Sequence, residues 1–287
     1  MATAVICEFN PFHNGHKYLL ESAKNVLKEP VIAIMSGSFT QRGEVAVCDK
    51  FVRAKSALEN GADLVLELPV VFSLSGAEGF AKAGVAIASA FECTNHLAFG
   101  SESGDCELLK KSANAVCDER VQALVRDGMK NGGYYPRELE NAVKTVFGDE
   151  ISSVLCEPNN ILGVEYIKAL NGTGVEPFSV ARTGVAHDSR IAGEGFASAS
   201  HIREMLRNGE NAKKYAPHIP DEITFPENLD RPLLYRLRTM TREDIAKLPD
   251  VGEGLENRIA DAAVRCSTSS EIADLVKTKR YTHARIR

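Results

Sequence analysis

Short apolar runs alternate along the chain with longer stretches in which apolar residues recur at helical spacing. Five of these runs are rich in β-branched and aliphatic residues and are bounded by turn-forming residues, as buried strands are. They span residues 4–9, 31–35, 64–68, 94–99 and 175–180. Strands that alternate with helices indicate βαβ units. The pattern therefore predicts an α/β fold with a parallel sheet, whose ligands bind beyond the carboxyl ends of the strands.

Capping residues and glycines mark the helices between these runs. Asp49 can cap a helix that stops before Gly61, and a second helix, built on small residues, is expected over residues 76–89. Residues 105–148 have a mostly helical pattern, and we interpret them as an insertion that covers the sheet. A further helix is expected to start on a hydroxyl cap at Ser198.

The composition changes after Arg207. Pro217, Pro220 and Pro226 punctuate a stretch that resembles a linker, and shorter helical segments follow it. A chain of 287 residues can hold one large domain and a smaller partner. We therefore predict one domain over residues 1–207 and a smaller, mainly helical part over residues 208–287.

The turn after the first predicted strand carries the most informative chemistry. Asn10-Pro11 cannot continue a central strand, and a helical pattern follows it, which predicts strand, tight turn and helix. His13 and His16 flank Gly15 at the start of that helix, where unpaired backbone N–H groups and the helix dipole favour an anion. Gly15 lacks a Cβ and lets the anion approach closely. The arrangement suits a nucleoside triphosphate that is attacked at its α-phosphate, because imidazole N–H groups can stabilise the departing oxygens.

Two other interpretations of the histidines remain open. His13 and His16 can form a structural pair, or they can be metal ligands, since histidines three positions apart share one face of a helix. No cysteine or carboxylate nearby completes a metal site at helical or loop spacing. We therefore predict no metal site.

The sequence of the turn that carries His13 and His16 resembles motifs of a known family. His-Asn-Gly-His at residues 13–16 resembles the His-x-Gly-His signature of the nucleotidyltransferase superfamily, and the longer run at residues 8–16 resembles the tRNA(Met) cytidine acetate ligases. Further stretches similar to blocks of that family lie at residues 35–37, 41–44, 63–69, 99–102, 158–163 and 277–282. The resemblance covers nearly the whole chain and implies a Rossmann-like parallel sheet of the nucleotidyltransferase type.

The resemblance also implies an ATP site, with His13 and His16 as the catalytic residues. Ser200 and Arg203 match a second signature, a hydroxyl-rich helix start ending in Ile-Arg that would hold the β- and γ-phosphates. Magnesium would accompany the triphosphate as its counter-ion, without a dedicated protein cage. The implied ATP-binding residues are Ile6, Cys7, Glu8, Phe9, Asn10, Pro11, Phe12, His13, Asn14, Gly15, His16, Lys17, Tyr18, Leu19, Gly100, Asn159, Asn160, Arg182, Ser200 and Arg203.

The implied activity has two steps. ATP activates acetate to acetyl-adenylate, and the acetyl group passes to N4 of the wobble cytidine of elongator tRNA(Met), giving N4-acetylcytidine. ATP, acetate and this tRNA are the expected partners, and no cofactor is expected to stay bound. The residues alone do not select acetate over another small acid. Two alternatives stay open: a small-molecule adenylyltransferase of the mononucleotide or pantetheine phosphate type, and a non-enzymatic, nucleotide-sensing RNA binder.

A basic block ends the sequence. Residues 276–287 contain five lysines and arginines and no acid, a pattern that is usually a solvated face. With the resemblance, it predicts tRNA contacts through Lys277, Lys279 and Arg280 to phosphates, and stacking of Tyr281 on an unpaired base.

The chain departs from the family pattern in two places. Ala186 stands before His187-Asp188, where an aromatic residue is expected. The sequence stops at Arg287 although family members continue, so the resemblance suggests a truncated or naturally short form that lacks part of the RNA-binding surface.

Composition narrows the class of protein. Hydrophobic residues make up 44% and charged residues 25%, as in ordinary soluble globular proteins, and the apolar stretch at residues 79–91 is interrupted by Lys82. Neither secretion nor a membrane or DNA partner is expected. The formal net charge of −5 still permits RNA binding, which needs only a local basic face. The seven cysteines form no Cys-x-x-Cys pair and are expected to be reduced, mostly buried thiols of a cytoplasmic protein.

Overall fold

The computed structural model describes residues 1–182, 195–278 and 281–287. These fall into two compact units: residues 1–41 with 46–222, and residues 42–45 with 223–287. The first unit thus continues beyond the predicted boundary at Arg207. The reason is that Ala212 and Ala216 are buried in one apolar cluster with Ile202, so part of the proline-punctuated stretch is packed chain.

Five parallel strands form one sheet in the order β3-β2-β1-β4-β5, which confirms the predicted fold class. All five predicted strands occur. The first ends two residues earlier than predicted, because Phe9 adopts a left-handed backbone conformation with φ 48°. The strand order reverses at β1, and ligands of open α/β sheets bind at such a point. The strands are β1 Ala2–Cys7, β2 Val31–Ser36, β3 Leu64–Leu68, β4 Thr94–Ser101 and β5 Glu176–Ala181.

Ten α-helices connect and cover the strands in the described part of the first unit. Asp49 caps α2 by accepting a hydrogen bond from the Phe51 N–H at 2.7 Å. Ser198 caps α10, and both caps were predicted from the sequence. Helices α5, α6 and α7 occupy the stretch interpreted as an insertion. The helices are α1 Asn14–Leu27, α2 Lys50–Glu59, α3 Val70–Ser73, α4 Ala77–Ala90, α5 Cys106–Cys117, α6 Glu119–Lys130, α7 Tyr135–Phe147, α8 Asp149–Ser153, α9 Pro158–Leu170 and α10 Ala199–Arg207.

Both faces of the central strands β1 and β2 are buried. Successive residues of a strand point to opposite faces, so Ile6 of β1 joins the cluster under α4, α5 and α9, while Val5 and Cys7 join the cluster that includes Leu20 of α1. A continuous apolar run is what a parallel strand covered on both faces requires. This covering leaves the carboxyl ends of the strands and the loops after them to form a ligand site.

The second unit is helical. It contains α11 Asp230–Thr239, α12 Arg242–Ala246, α13 Leu255–Arg265, α14 Ser269–Val276 and α15 His283–Ile286. Its core includes Leu234, Leu255, Ala262, Ile272 and Val276. In the described parts of the chain, no helix combines the length and the apolar character that crossing a bilayer requires.

The cysteines are all free, but the prediction that most of them are buried was wrong. Cys7, Cys48 and Cys266 are buried, while three others are exposed, at helix ends or in turns. Burial of these thiols follows their position in strands, helices and loops, which cysteine count and spacing do not reveal.

Candidate active site

An aromatic cluster shapes the turn that follows β1. The Phe9 ring is only 1% exposed and lies 5.0 Å from the Phe12 ring and 4.9 Å from the His16 ring, measured between centroids. Edge and tilted contacts of this kind fix the relative orientation of aromatic rings. The imidazole of His16 is therefore held by packing as well as by the helix on which it lies.

Arg53 ties this turn to the next strand, and sequence reasoning missed it. Its side chain is 1% exposed, and its guanidinium donates to the carbonyl oxygens of Glu8 at 2.6 Å, Ser36 at 3.1 Å and Cys48 at 3.2 Å, and also to that of Gly37. Burial lowers the pKa of Arg53. A buried cation is tolerated here because several carbonyl dipoles replace water around it. The ends of β1 and β2 are thereby held in one fixed arrangement.

The rings of His13 and His16 stack at 3.7 Å between centroids, and main-chain bonds fix their tautomers. Nδ1 of His13 accepts from the Gly15 N–H at 3.0 Å, and Nδ1 of His16 accepts from the His13 N–H at 3.3 Å. A neutral imidazole that accepts at Nδ1 carries its proton on Nε2. Both rings therefore present an Nε2–H donor.

Burial and neighbouring cations keep both histidines neutral. Desolvation, with Arg182 and Arg203 as further causes, lowers the pKa of His13 to about 3. Desolvation, then His13 and then Arg182 lower the pKa of His16 well below its usual value. Arginines beside neutral donors favour an anion at this point of the molecule.

The first turn of α1 does not offer the unpaired N–H groups that the sequence predicted. The Asn14 N–H donates to the Tyr215 carbonyl at 2.9 Å, the Gly15 N–H donates to His13, and the His16 N–H donates to the His13 carbonyl at 2.9 Å. His13 itself caps the helix, which satisfies donors that a non-capping residue would leave open. The donors for an anion are therefore side chains.

Gly15 has a steric role at this helix start. A Cβ built on Gly15 would lie 2.9 Å from Cε1 of His13, closer than such atoms approach in proteins. Only glycine lets the His13 ring fold back over the helix start. Glycine is required at position 15, as the sequence predicted. The structure adds a reason beyond the predicted approach of an anion, namely the close approach of the His13 ring.

Arg203 links the two sequence signatures. One nitrogen of its guanidinium donates to the Asn10 carbonyl at 2.9 Å and the other to Oγ of Ser200 at 3.2 Å. The side-chain amide of Asn14 also reaches across, donating to the Gly195 carbonyl at 2.7 Å. Residues 193 positions apart in the chain thus form one site.

A carboxylate that sequence reasoning missed holds the asparagine pair. Glu102 lies just after β4 and accepts from the Asn159 amide at 2.5 Å and from the Asn160 N–H at 2.9 Å. The Asn160 side chain in turn accepts from the Ser103 N–H at 3.1 Å. Both asparagines therefore anchor the start of α9 to the loop after β4.

Gly100 and Arg182 are neighbours at the carboxyl ends of β4 and β5. The Arg182 N–H donates to the Ser101 carbonyl at 3.0 Å, and a Cβ on Gly100 would lie 3.5 Å from Cγ of Arg182. Burial lowers the pKa of Arg182, while Glu102 opposes this shift. Arg182 is exposed at the end of β5, and its positive charge contributes to the lowered pKa of both His13 and His16.

Some implied ATP-binding residues have side chains committed to packing. Ile6 and Cys7 are 6% and 9% exposed, and Leu19 packs against a buried cluster. Tyr18 lies edge-on to Phe196 at 6.3 Å, and Lys17 pairs with a glutamate one helical turn along. For Ile6, Cys7 and Leu19, only backbone atoms remain for the predicted ATP contact.

The predicted tRNA-binding residues lie in the second unit. Lys277 pairs with Asp274 at 3.2 Å. Tyr281 is 7% exposed and donates to the Gly252 carbonyl at 3.0 Å, so the predicted stacking on an RNA base is wrong for this structure: the ring belongs to the core. Lys279, Arg280, Ala186, His187 and Asp188 lie outside the described residues.

Comparison with known proteins identifies the family of this chain. The family model described as HIGH Nucleotidyl Transferase matches residues 1–287. The tRNA(Met) cytidine acetate ligase of Thermoanaerobacter sp. (strain X514) is 39% identical, over 99% of this chain and 75% of the relative. The protein of the same name from Clostridium tetani is 36% identical, over 99% of this chain and 76% of the relative.

Two solved structures have the same fold. Thermotoga maritima TmcAL in its apo form superposes with a TM-score of 0.89 at 33% identity, covering 99% of this chain and 73% of that one. The same protein bound with alpha-thio ATP gives a TM-score of 0.88 at 33% identity, over 99% and 72% of the two chains. The chain belongs to the tRNA(Met) cytidine acetate ligase family of HIGH nucleotidyl transferases.

Proposed function

We propose that this protein uses ATP to activate acetate and transfers the acetyl group to N4 of the wobble cytidine of elongator tRNA(Met). One observation carries the proposal: two neutral imidazoles with Nε2–H donors lie beside Arg182 and Arg203 at the switch point of the sheet. That set of donors suits the charge that develops on a triphosphate under attack. The ATP analogue bound by the Thermotoga maritima relative supports ATP as the nucleotide.

In the first step, a carboxylate oxygen of acetate attacks the α-phosphorus. The bond from that phosphorus to the bridging oxygen breaks, and pyrophosphate leaves with the electron pair. His13 and His16 donate Nε2–H bonds to the oxygens that gain charge. Because His13 is buried, His16 is packed against Phe9 and Phe12, and both rings are held by main-chain bonds, these donors need no reorganisation during the reaction.

Arg203 and Ser200 would hold the β- and γ-phosphates, and Arg182 would contact the nucleotide near the reacting phosphate. Gly100, Asn159 and Asn160, with the rest of the turn after β1, would line the remaining nucleotide site. Mg²⁺ would travel with the triphosphate and reduce its charge.

In the second step, the N4 amine of the cytidine attacks the acetyl carbonyl, the acyl–oxygen bond breaks, and AMP leaves. The amine loses one proton when N4-acetylcytidine forms. An exocyclic amine is a weak nucleophile, so the mixed anhydride supplies the activation that free acetate lacks. An unpaired anticodon base can enter a pocket, which is how proteins commonly read RNA by sequence. Lys277, Lys279 and Arg280 would bind tRNA phosphates in the cytoplasm, where tRNA is found.

Exchange of labelled pyrophosphate into ATP tests the first step, with and without acetate. We expect exchange that requires acetate, and N4-acetylcytidine when elongator tRNA(Met) is added. If the exchange requires another small acid, that acid and not acetate is the substrate. Transfer of AMP to a mononucleotide or to pantetheine phosphate would overturn the proposal in favour of a small-molecule adenylyltransferase, and ATP binding without any turnover would indicate a sensor.

A further inference from the structure

A cavity of about 390 Å³ opens beside α11 in the second unit. Its lining residues are Arg231, Leu234, Tyr235, Arg238, Thr239 and Ser267. Arg231, Tyr235 and Arg238 follow a spacing of four and three residues, so α11 presents them on one face. A volume of this size lies in the range of small-ligand sites, where one nucleotide fits.

We propose that this cavity binds one unpaired nucleotide of an RNA chain, with the base on Tyr235 and a phosphate on Arg231 and Arg238. The inference rests on the proposed function, since it assigns a contact for the tRNA substrate. It adds a binding element separate from Lys277, Lys279 and Arg280.

Tyr235 is placed for stacking in a way that Tyr281 is not. Its side chain is 72% exposed, whereas the neighbouring Leu234 is 6% exposed and forms an apolar floor continuous with the core. An exposed aromatic ring beside an apolar floor gives an unpaired base two surfaces to contact. Stacking of this kind is available to every base, because each has a π-face.

Arg238 is a pre-positioned cation. Its Nε donates to the Ala263 carbonyl at 2.7 Å and its Nη2 to the Cys266 carbonyl at 2.8 Å, both at the end of α13. A guanidinium has five N–H donors, so the remaining ones can meet an anion without the cost of ordering the side chain. Phosphate is the anion that such a planar fork binds well.

The carboxylates beside the cavity are already engaged. Asp230 accepts from the Ser269 N–H at 2.8 Å, and Glu271 accepts from the Ser267 N–H at 2.7 Å, so both support the start of α14. Within the described ranges, neither Arg231 nor Arg238 forms an ion pair with an acid. The lining of the cavity contains two arginines and no acidic residue, so the lining itself is positively charged, although the chain as a whole is acidic.

Binding of an elongator tRNA(Met) transcript, measured by fluorescence anisotropy over a series of salt concentrations, tests the proposal. Tyr235→Ala should weaken binding about tenfold, and Tyr235→Phe should restore it, because stacking needs the ring and not the hydroxyl. Arg231→Gln should weaken binding and lower the salt slope by about one. Arg236→Gln is the matched control, since Arg236 lies exposed on the same helix outside the cavity. Arg238 is not substituted, because its side chain donates hydrogen bonds to carbonyl groups at the end of α13.

The outcomes separate this inference from the proposed function. Acetate-dependent pyrophosphate exchange should be the same in all four variants, while the KM for tRNA should rise in Tyr235→Ala and Arg231→Gln with little change in kcat. If these two variants bind tRNA like Arg236→Gln, the cavity is not an RNA site. If the parent binds tRNA through these residues but acetylates none, the proposed function fails and the binding site stands. A parent that binds no RNA would overturn the inference.

Discussion

The His13 and His16 rings act through a single atom each, because their Nδ1 atoms are already committed to main-chain N–H groups. A metal ion needs an unprotonated ring nitrogen with a free lone pair. Here the Nδ1 lone pairs are used and each Nε2 carries the proton, so the rings as oriented are donors and not ligands. The structural-pair interpretation is partly right, since His13 also caps α1.

Replacing either histidine by Ala should lower the turnover of acetate-dependent pyrophosphate exchange by a factor of about 10² or more. The affinity for ATP should change little, since the lost hydrogen bonds form mainly in the transition state. Exchange kinetics and calorimetric ATP titration together measure this split. Asn25→Ala is the control, since Asn25 is exposed on the same helix and lies outside the predicted ATP site. Full exchange activity in both alanine variants would disprove the catalytic assignment.

The histidines also make stability depend on pH. The pKa of His13 is about 3 in the folded chain and that of an unperturbed histidine is about 6.5, so the unfolded chain binds more protons between these values. The free energy of unfolding should therefore fall as pH drops through this window. Denaturant unfolding at pH 7 and pH 5 measures how much of the free energy of unfolding is lost between these pH values. This loss should be smaller in His13→Gln than in the parent. An equal loss in His13→Gln and the parent would assign the pH dependence to other groups.

At the scale of elements, local patterns predicted the strands and helices, and long-range contacts supplied what the patterns could not. The apolar runs were sufficient to locate the five strands. The central strands β1 and β2 are buried at every residue, and strands covered on both faces are mostly apolar. Arg53 and Glu102 escaped prediction since their partners are main-chain groups or loops far along the chain, which leave no local signature. The donor groups at the start of α1 were also mispredicted, because a histidine cap is not a common one.

Arg53→Met should destabilise the first unit by roughly 2–4 kcal/mol, because buried carbonyl groups lose their donor. It should also lower exchange activity beyond the loss of folded protein, since the Glu8 carbonyl anchors the histidine turn. Lys55→Met provides the control: it lies on the same helix, exposed, and removes the same charge. Denaturant unfolding and exchange kinetics on the folded fraction measure the two effects. Equal stability of Arg53→Met and Lys55→Met would refute this role for Arg53.

At the scale of the whole molecule, the predicted nucleotide-binding residues belong to the first unit and the basic block to the second. Family blocks in the sequence were enough to predict the fold and the order of the two signatures. They could not place the end of the first unit, because prolines mark irregular backbone whether it is packed or a linker. They could not show that Tyr281 is buried, because an aromatic among basic residues looks the same in a core and on a surface.

Changing Lys277, Lys279 and Arg280 together to Ala should weaken tRNA binding and flatten its salt dependence. Formation of acetyl-adenylate should be unchanged, because these residues are outside the unit that holds the histidines. Binding over a salt series and acetate-dependent pyrophosphate exchange measure the two properties. The control removes the same number of positive charges from the first unit, by changing Arg120, Lys130 and Lys144 to Ala. Acetylation of tRNA at the parent's rate and affinity would show that the block is only a solvated face.

If acetate attacks the α-phosphate of ATP, an oxygen atom of acetate must pass to AMP, and an isotope label can follow it. Acetate labelled with ¹⁸O at both oxygens is incubated with the protein, ATP and elongator tRNA(Met), and the AMP and pyrophosphate are analysed by mass spectrometry. We expect one ¹⁸O in each AMP formed with N4-acetylcytidine, because the attacking oxygen stays on phosphorus when the acetyl group leaves. The pyrophosphate should carry no label. Unlabelled AMP, or release of ADP and phosphate in place of pyrophosphate, would show that acetate does not attack the α-phosphate.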